Sequence, residues 1–441
     1  MAASVFDTPL YASLFPTGET GRLFSDSAAL RAMLLTEGAL AKAQAQAGLI
    51  PELSAAAIQR ATLEIQVDPG ALTRATGTNG VCVPALVEAF RAEMNAPEHA
   101  QFVHWGATSQ DIIDTGLMLR LRQALLLAEE DLRHILNVLA KAATEHAETP
   151  MAARTYGQLA TPTTWGAVLA GWGMPLADAL EALPGLRDSS LWVSLSGAAG
   201  TASELGDDPG ALRAELAAGL GLGDPRRSWH TDRSPVLRIA GWMSGVTATL
   251  GAMGHSLTGL ATGGLGEVRL SGAGASSTMP QKQNPVGPSA MTALSHQTAG
   301  LLSSLQTSAV HQHQRDGAAW FTEWMVLPQI VLGCAAALQI ARTVTAALEP
   351  DTAAMRHTLE RDGGMIHAEA LSFALTARMS RPEAQAAVKE LCRDARSSGT
   401  PLDVLARMRW PDLSPDLFDL RGATGQAPAE ARAFADRIAG M

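Results

Sequence analysis

Between Ser271 and Ser289 the chain reads S-G-A-G-A-S-S-T-M-P-Q-K-Q-N-P-V-G-P-S. Gly272 and Gly274 give a flexible run, Ser276 and Ser277 present two hydroxyls, and Pro280 stiffens the backbone ahead of Lys282 and Asn284. A glycine-rich stretch that carries a hydroxyl can close over a substrate and exclude water. An ammonium and an amide fixed a few residues further on are the donors that stabilise charge appearing on a carboxylate during carbanion chemistry. By composition alone, the same stretch is an ordinary surface loop.

Two further groups of polar residues stand apart from this loop. H-W-G-A-T-S-Q-D-I-I-D-T, from His104 to Thr115, leads into a long helix predicted by the stripe Leu121, Leu125, Ala128, Leu132, Ile135, Leu136 and Leu139. Thr108, Ser109 and Gln110 fall just before that helix, where free N–H groups and the dipole favour an anion. The plainer reading is capping by Thr108 or Ser109, with Asp111 as a first-turn acid. The second group, A-R-T-Y-G-Q-L-A-T-P-T-T-W-G from Ala153, offers Thr155, Tyr156 and Gln158. Later segments add Arg233, in W-H-T-D-R, and Arg315, in H-Q-H-Q-R-D-G-A-A-W-F-T-E-W. His311 and His313 are two apart, on different faces of a helix, which argues against a metal site.

These motifs, in this order, resemble the three signatures of the fumarase/aspartase superfamily. S-S-T-M-P-Q-K-Q-N-P is similar to G-S-S-x-M-P-x-K-x-N-P, with Ala275 in place of the usual Gly. T-S-Q-D resembles the turn that holds a substrate carboxylate, and Thr155 and Gln158 match the superfamily's polar contacts. The resemblance implies an all-α, three-region fold: an N-terminal helical domain (1–110), a central helix bundle (111–347) and a C-terminal helical domain (348–441). It also implies a homotetramer with active sites shared between subunits, and no metal or organic cofactor. On this pattern Ser276 is the base, and Lys282 and Asn284 stabilise an aci-carboxylate intermediate. Ser277, Met279, Thr155, Tyr156, Gln158, Thr108, Ser109 and Gln110 line the substrate. Arg233, Arg315 and His104 are the additional contacts expected for its negative charge.

Two departures narrow the chemistry. Fumarases, aspartases and argininosuccinate lyases carry His at the Tyr156 position, backed by Glu at the Ser289 position, and here both are missing. A departing amine or hydroxide gains typically 10²–10⁴-fold from a proton donor, whereas a carboxylate leaves as a weak base and needs none. T-S-Q-D-I-I-D-T and W-F-T-E-W resemble the carboxymuconate cycloisomerase branch, in which the substrate's own carboxylate attacks. The expected reaction is therefore intramolecular carboxylate addition within a tricarboxylate. Relatives in that branch commonly have Trp where this chain has Tyr156. The alternatives are a lyase releasing fumarate from adenylosuccinate or an aminopolycarboxylate, and an inactive structural descendant of the kind found among lens crystallins.

The rest of the chain must position these groups. Its 441 residues are 47% hydrophobic and only 17% charged, an apolar balance that calls for a large subunit interface. A net charge of −10 disfavours nucleic acid and anionic membranes as partners, so the cations that meet an anionic substrate are local. Cys82, Cys334 and Cys392 are scattered, which implies a reduced, cytoplasmic protein, and the N-terminal residues lack signal-peptide character. Ile239–Gly266 is free of charge but rich in Gly, Ser and Thr, and is expected as a buried helix rather than a membrane span. Ser25 or Asp26 should open a helix carrying Leu30, Met33 and Leu34, and Gly48 with Pro51 should end it. G-L-G-L-G-D at Gly219–Asp224 mimics a dinucleotide loop but follows no strand, so it is expected to end a helix. In the C-terminal region homologues often carry His where Gln385 stands, so no catalytic residue is expected there.

Overall fold

The computed structural model describes residues 4–270, 274–275, 278–279 and 282–441, most of them in α-helices, in line with the all-α expectation. Helix Asp26–Gln46 starts where the Ser25 hydroxyl accepts the Ala28 N–H at 3.3 Å, and it stops ahead of Gly48. Its apolar face (Leu30, Met33, Leu34, Leu40) belongs to one buried cluster with Ala55, Ile58 and Ala61 of helix Glu52–Glu64. Truncating a fully buried aliphatic such as Ile58 to Ala costs about 2–5 kcal/mol.

By contacts the chain forms two units. The first comprises Met1–Asp131, Ala179–Gly251 and Ala293–Ile340; the second comprises Leu132–Asp178, Ala252–Thr292 and Ala341–Met441. Four long helices, Ser109–Glu145, Ser234–Leu260, Val286–Thr307 and Gly317–Ala346, contribute residues to both. Most of the charge-free run lies in Ser234–Leu260, where Val236, Ile239, Met243, Val246, Leu250, Met253 and Leu257 are buried at helical spacing, while its last residues, 261–266, fall beyond the helix end. Among the described residues only Gly317–Ala346 is long and apolar enough to cross a membrane, and 67% of its most apolar stretch is buried inside the protein.

The second unit carries the strands. Pro150–Thr155 and Gln158–Thr164 form an antiparallel hairpin, Val268–Leu270 pairs with Leu348–Pro350, and Gly274–Ala275 pairs with Gln283–Asn284. Toward the C-terminus a separate small core gathers Leu371, Leu375, Val388, Leu391 and Leu402. Helix Arg381–Ser398 there is opened by a capping box between Ser380 and Glu383 and leaves Gln385 exposed. G-L-G-L-G-D is the expected helix end: helix Pro209–Leu220 terminates at Gly221 in the left-handed conformation.

Candidate functional site

The candidate residues divide between the two units. In the first, helix Ser109–Glu145 starts where Thr108 as its cap residue would place it, so Ser109 and Gln110, expected just before the helix, occupy its first turn. Asp111 is wholly buried and far more than a first-turn acid. Its carboxylate accepts from Thr108 N at 3.1 Å, Ser196 N at 2.9 Å, Gly197 N at 3.0 Å, the Ser194 hydroxyl at 3.1 Å and His230 Nε2 at 2.8 Å. One carboxylate thus gathers three backbone segments around the helix start. The opposite ring nitrogen of His230, Nδ1, is buried and has no partner among the described residues.

Arg233 departs from its expected role. It is 1% exposed, and its guanidinium is fully engaged by Asp114 (2.8 and 3.0 Å) and Glu323 (2.8 and 2.7 Å), above the face of Trp229. Two carboxylates against one cation leave it no charge to offer a ligand, and they hold its pKa above the usual arginine range despite burial. Gln110 is likewise internal: its amide nitrogen donates to the Asp114 carboxylate and the His230 carbonyl, and its oxygen accepts from Arg315 Nε at 2.7 Å. Both residues set the shape of the cluster rather than its exposed face.

Arg315 is the contrasting cation. It is exposed, and its partners are all neutral: the Gln110 amide oxygen, the Thr108 hydroxyl and the Ala198 carbonyl. No carboxylate lies within ion-pairing distance of it among the described residues, so its charge is aimed but not neutralised. It follows His311 and His313 in the stretch between helices Val286–Thr307 and Gly317–Ala346. Those two histidines therefore sit in a loop and not on a helix as the pattern suggests, and no metal-holding group of His, Cys, Asp or Glu occurs among the described residues.

His104 completes this half. Its backbone is left-handed (φ 63) and is held there by buried Glu37, which accepts from both the His104 N–H (3.1 Å) and ring Nδ1 (2.7 Å). Gly106 follows at φ 69, where a Cβ would stand 2.4 Å from the Glu204 carbonyl oxygen, so only glycine lets the turn close. Burial pulls the His104 pKa down, but the hydrogen bond and charge of Glu37 outweigh it and leave the value raised. The imidazole is thereby biased toward its cationic form.

In the second unit the hairpin brings Thr155, Tyr156 and Gln158 together. Thr155 and Gln158 are cross-strand neighbours across the two-residue turn Tyr156–Gly157, both with positive φ (51 and 73), as a tight hairpin requires. The Tyr156 side chain is fully exposed at the tip. Gln158 lines a cleft of about 1050 Å³ with Trp172, His255 and Arg361. On the glycine-rich segment, Gly274–Ala275 pairs with Gln283–Asn284, the Lys282 N–H donates to the Met279 carbonyl at 3.0 Å, and Lys282 and Met279 are exposed. Ser276 and Ser277 lie outside the described residues. Ser289 is exposed in the first turn of helix Val286–Thr307.

A mostly helical chain with this site has a defined kinship. Residues 16–300 match the lyase family, and the chain belongs to that family, within the fumarase/aspartase superfamily. It is 37% identical to the 3-carboxy-cis,cis-muconate cycloisomerase of Pseudomonas aeruginosa over 97% of this chain and 95% of that one. It is 34% identical to the nitrosuccinate lyase of Streptomyces davaonensis, over 91% of this chain and 87% of that one. Among solved structures, the 3-carboxy-cis,cis-muconate lactonizing enzyme of Pseudomonas putida superposes with a TM-score of 0.91 at 34% identity, covering 98% of this chain and 99% of that one.

Proposed function

We propose that this chain is a cycloisomerase that converts 3-carboxy-cis,cis-muconate to 4-carboxymuconolactone. The observation that carries the reading is the joint replacement of a His–Glu acid pair by Tyr156 and Ser289 beside signatures that keep Ser276, Lys282 and Asn284. Similarity to cycloisomerases over nearly the whole chain supports it. In the forward direction a substrate carboxylate oxygen adds to an alkene carbon, and the electron pair moves onto the neighbouring carboxylate as an aci-carboxylate. Lys282 and Asn284 stabilise that charge. The Ser276 hydroxyl then delivers a proton to the carbon between them, and in reverse its alkoxide removes it.

Arg315, His104, Thr108 and Ser109 take substrate carboxylates, while Thr155, Tyr156, Gln158, Ser277 and Met279 shape the remainder of the site. Arg233 and Gln110 support this set from beneath. A homotetramer with shared sites fits the complete exposure of Tyr156 in a single chain, and three free cysteines fit a cytoplasmic enzyme of aromatic-acid breakdown. The three regions 1–110, 111–347 and 348–441 remain our division of the chain.

A second reading is elimination from a substituted succinate, favoured by the likeness to a nitrosuccinate lyase. Loss of the muconate's ultraviolet absorbance without appearance of fumarate distinguishes the two. Ser276→Ala should lower muconate turnover by at least about 10²-fold, as removal of a general acid/base does; unchanged turnover would take Ser276 out of the mechanism.

A further inference from the structure

Arg154 stands one residue before Thr155 in the hairpin. Its Nη1 and Nη2 donate to Glu267 Oε2 at 2.9 Å and Oε1 at 2.8 Å, a bidentate contact, and Nη1 also reaches the Ala152 carbonyl at 3.2 Å. The register of the hairpin shifts between Ala152 and Arg154, so the two side chains do not share a task. Ala152 packs with Leu359 and Ile366, while Arg154 turns to Glu267. Glu267 is wholly buried. Its backbone is pinned on both sides, the N–H donating to Leu260 at the end of a long helix and the carbonyl accepting from Asp351 N at 2.9 Å. Immediately after it runs the strand Val268–Leu270, which leads into the segment bearing Lys282 and Asn284.

A buried ion pair is a weak source of stability, because desolvation consumes most of the Coulombic gain. What a planar guanidinium–carboxylate pair supplies is fixed geometry, since two parallel hydrogen bonds leave little freedom of rotation. Here that geometry joins two segments that both carry candidate chemistry and have no other charged link to each other among the described residues. We infer that Arg154 and Glu267 are positioning residues: their ion pair locks the Thr155–Gln158 hairpin to the root of the Lys282–Asn284 segment, so that each presents its polar groups at a fixed height. The inference rests on the cycloisomerase reading only for the reaction being positioned; the lock itself is a property of this fold. Arg154 is assigned a positioning role rather than a substrate contact because both its terminal nitrogens donate to Glu267.

The test uses Arg154→Ala, Arg154→Lys and Glu267→Gln in the full-length enzyme, assayed where circular dichroism shows each to be folded. Misplacement of site groups by about 1 Å costs on the order of 10²-fold, and a loss of that size in kcat is expected for Arg154→Ala. Arg154 is one-fifth exposed, so its slot admits small cations, and millimolar guanidinium should restore turnover to Arg154→Ala. It should do nothing for Glu267→Gln, which lacks the receiving carboxylate. Hydrogen exchange in 150–164 and in 268–270 should quicken together in Arg154→Ala and Glu267→Gln. A purely structural pair would lower the melting temperature while leaving kcat and KM of the folded fraction unchanged, and that result overturns the proposal. If Arg154→Ala does not fold, Arg154→Lys and Glu267→Gln decide: wild-type kcat in both refutes it. Should the wild-type enzyme show no muconate turnover, the functional reading fails separately. The exchange data then stand alone, with unchanged exchange in Glu267→Gln refuting the lock.

Discussion

Replacing Arg233 by Met isolates the largest electrostatic commitment in the first unit. Arg233 joins Asp114 and Glu323 through four charge-assisted contacts between 2.7 and 3.0 Å, and all three side chains are at most 1% exposed. Removing the cation leaves two buried carboxylates facing each other with no countercharge. Breaking one such pair costs about 3–5 kcal/mol, and the doubled partner puts Arg233→Met at the top of that range or above. Burial without a cation favours protonated carboxyls, so the variant should bind protons in its folded state that the unfolded chain does not hold. Its stability then falls as pH rises, and its deficit against wild type should be smaller at about pH 5 than at about pH 8. Urea unfolding of both proteins across that range checks this. If Arg233→Met keeps wild-type stability but raises KM steeply, Arg233 is a substrate ligand after all, and the argument from its burial is wrong.

Three other outcomes are expected. Arg315→Gln should raise KM about 10- to 100-fold with little change in melting temperature, because it removes an exposed charge-assisted contact of about 1.5–3 kcal/mol; steady-state kinetics and a thermal melt check it. Glu37→Gln should lower the His104 pKa, read by imidazole NMR titration. Since that pKa is raised in the folded protein from its ordinary 6.5, the stability it contributes is fully present below 6.5 and is lost as pH climbs through the raised value. The wild-type advantage over Glu37→Gln should shrink accordingly. Cys334 is buried, with its thiol pushed up to about 12 by desolvation, so a thiol reagent added to native protein should label Cys82 and Cys392 first.

Much of this was legible in the residues because it depends on local rules. Ser25, Gly48 and Gly221 mark helix ends through backbone geometry that short-range sequence encodes. The charge-free stretch announced a buried helix, and its apolar positions fall at the spacing a helix needs. Other features could not be read this way. Glu37, Asp114, His230 and Glu323 are ordinary polar residues in the chain, with partners 67 to 119 positions away, and no periodicity flags them. Nor did the hairpin tip announce itself, since Tyr156 takes a left-handed turn position that sequence statistics reserve for Asn or Gly. The one available hint was Gly157 beside a run of threonines.

The sequence by itself determined the family, the order of its three signatures and the missing acid pair, because spacing and residue type along one chain carry that information. Only the tertiary structure decided which charges remain available. Arg233 and Arg315 read alike as cations near polar motifs. Folding places one between two buried carboxylates and the other against neutral oxygens. Whether a cation can meet an anion depends on who has already neutralised it, and that is settled by contacts between distant segments.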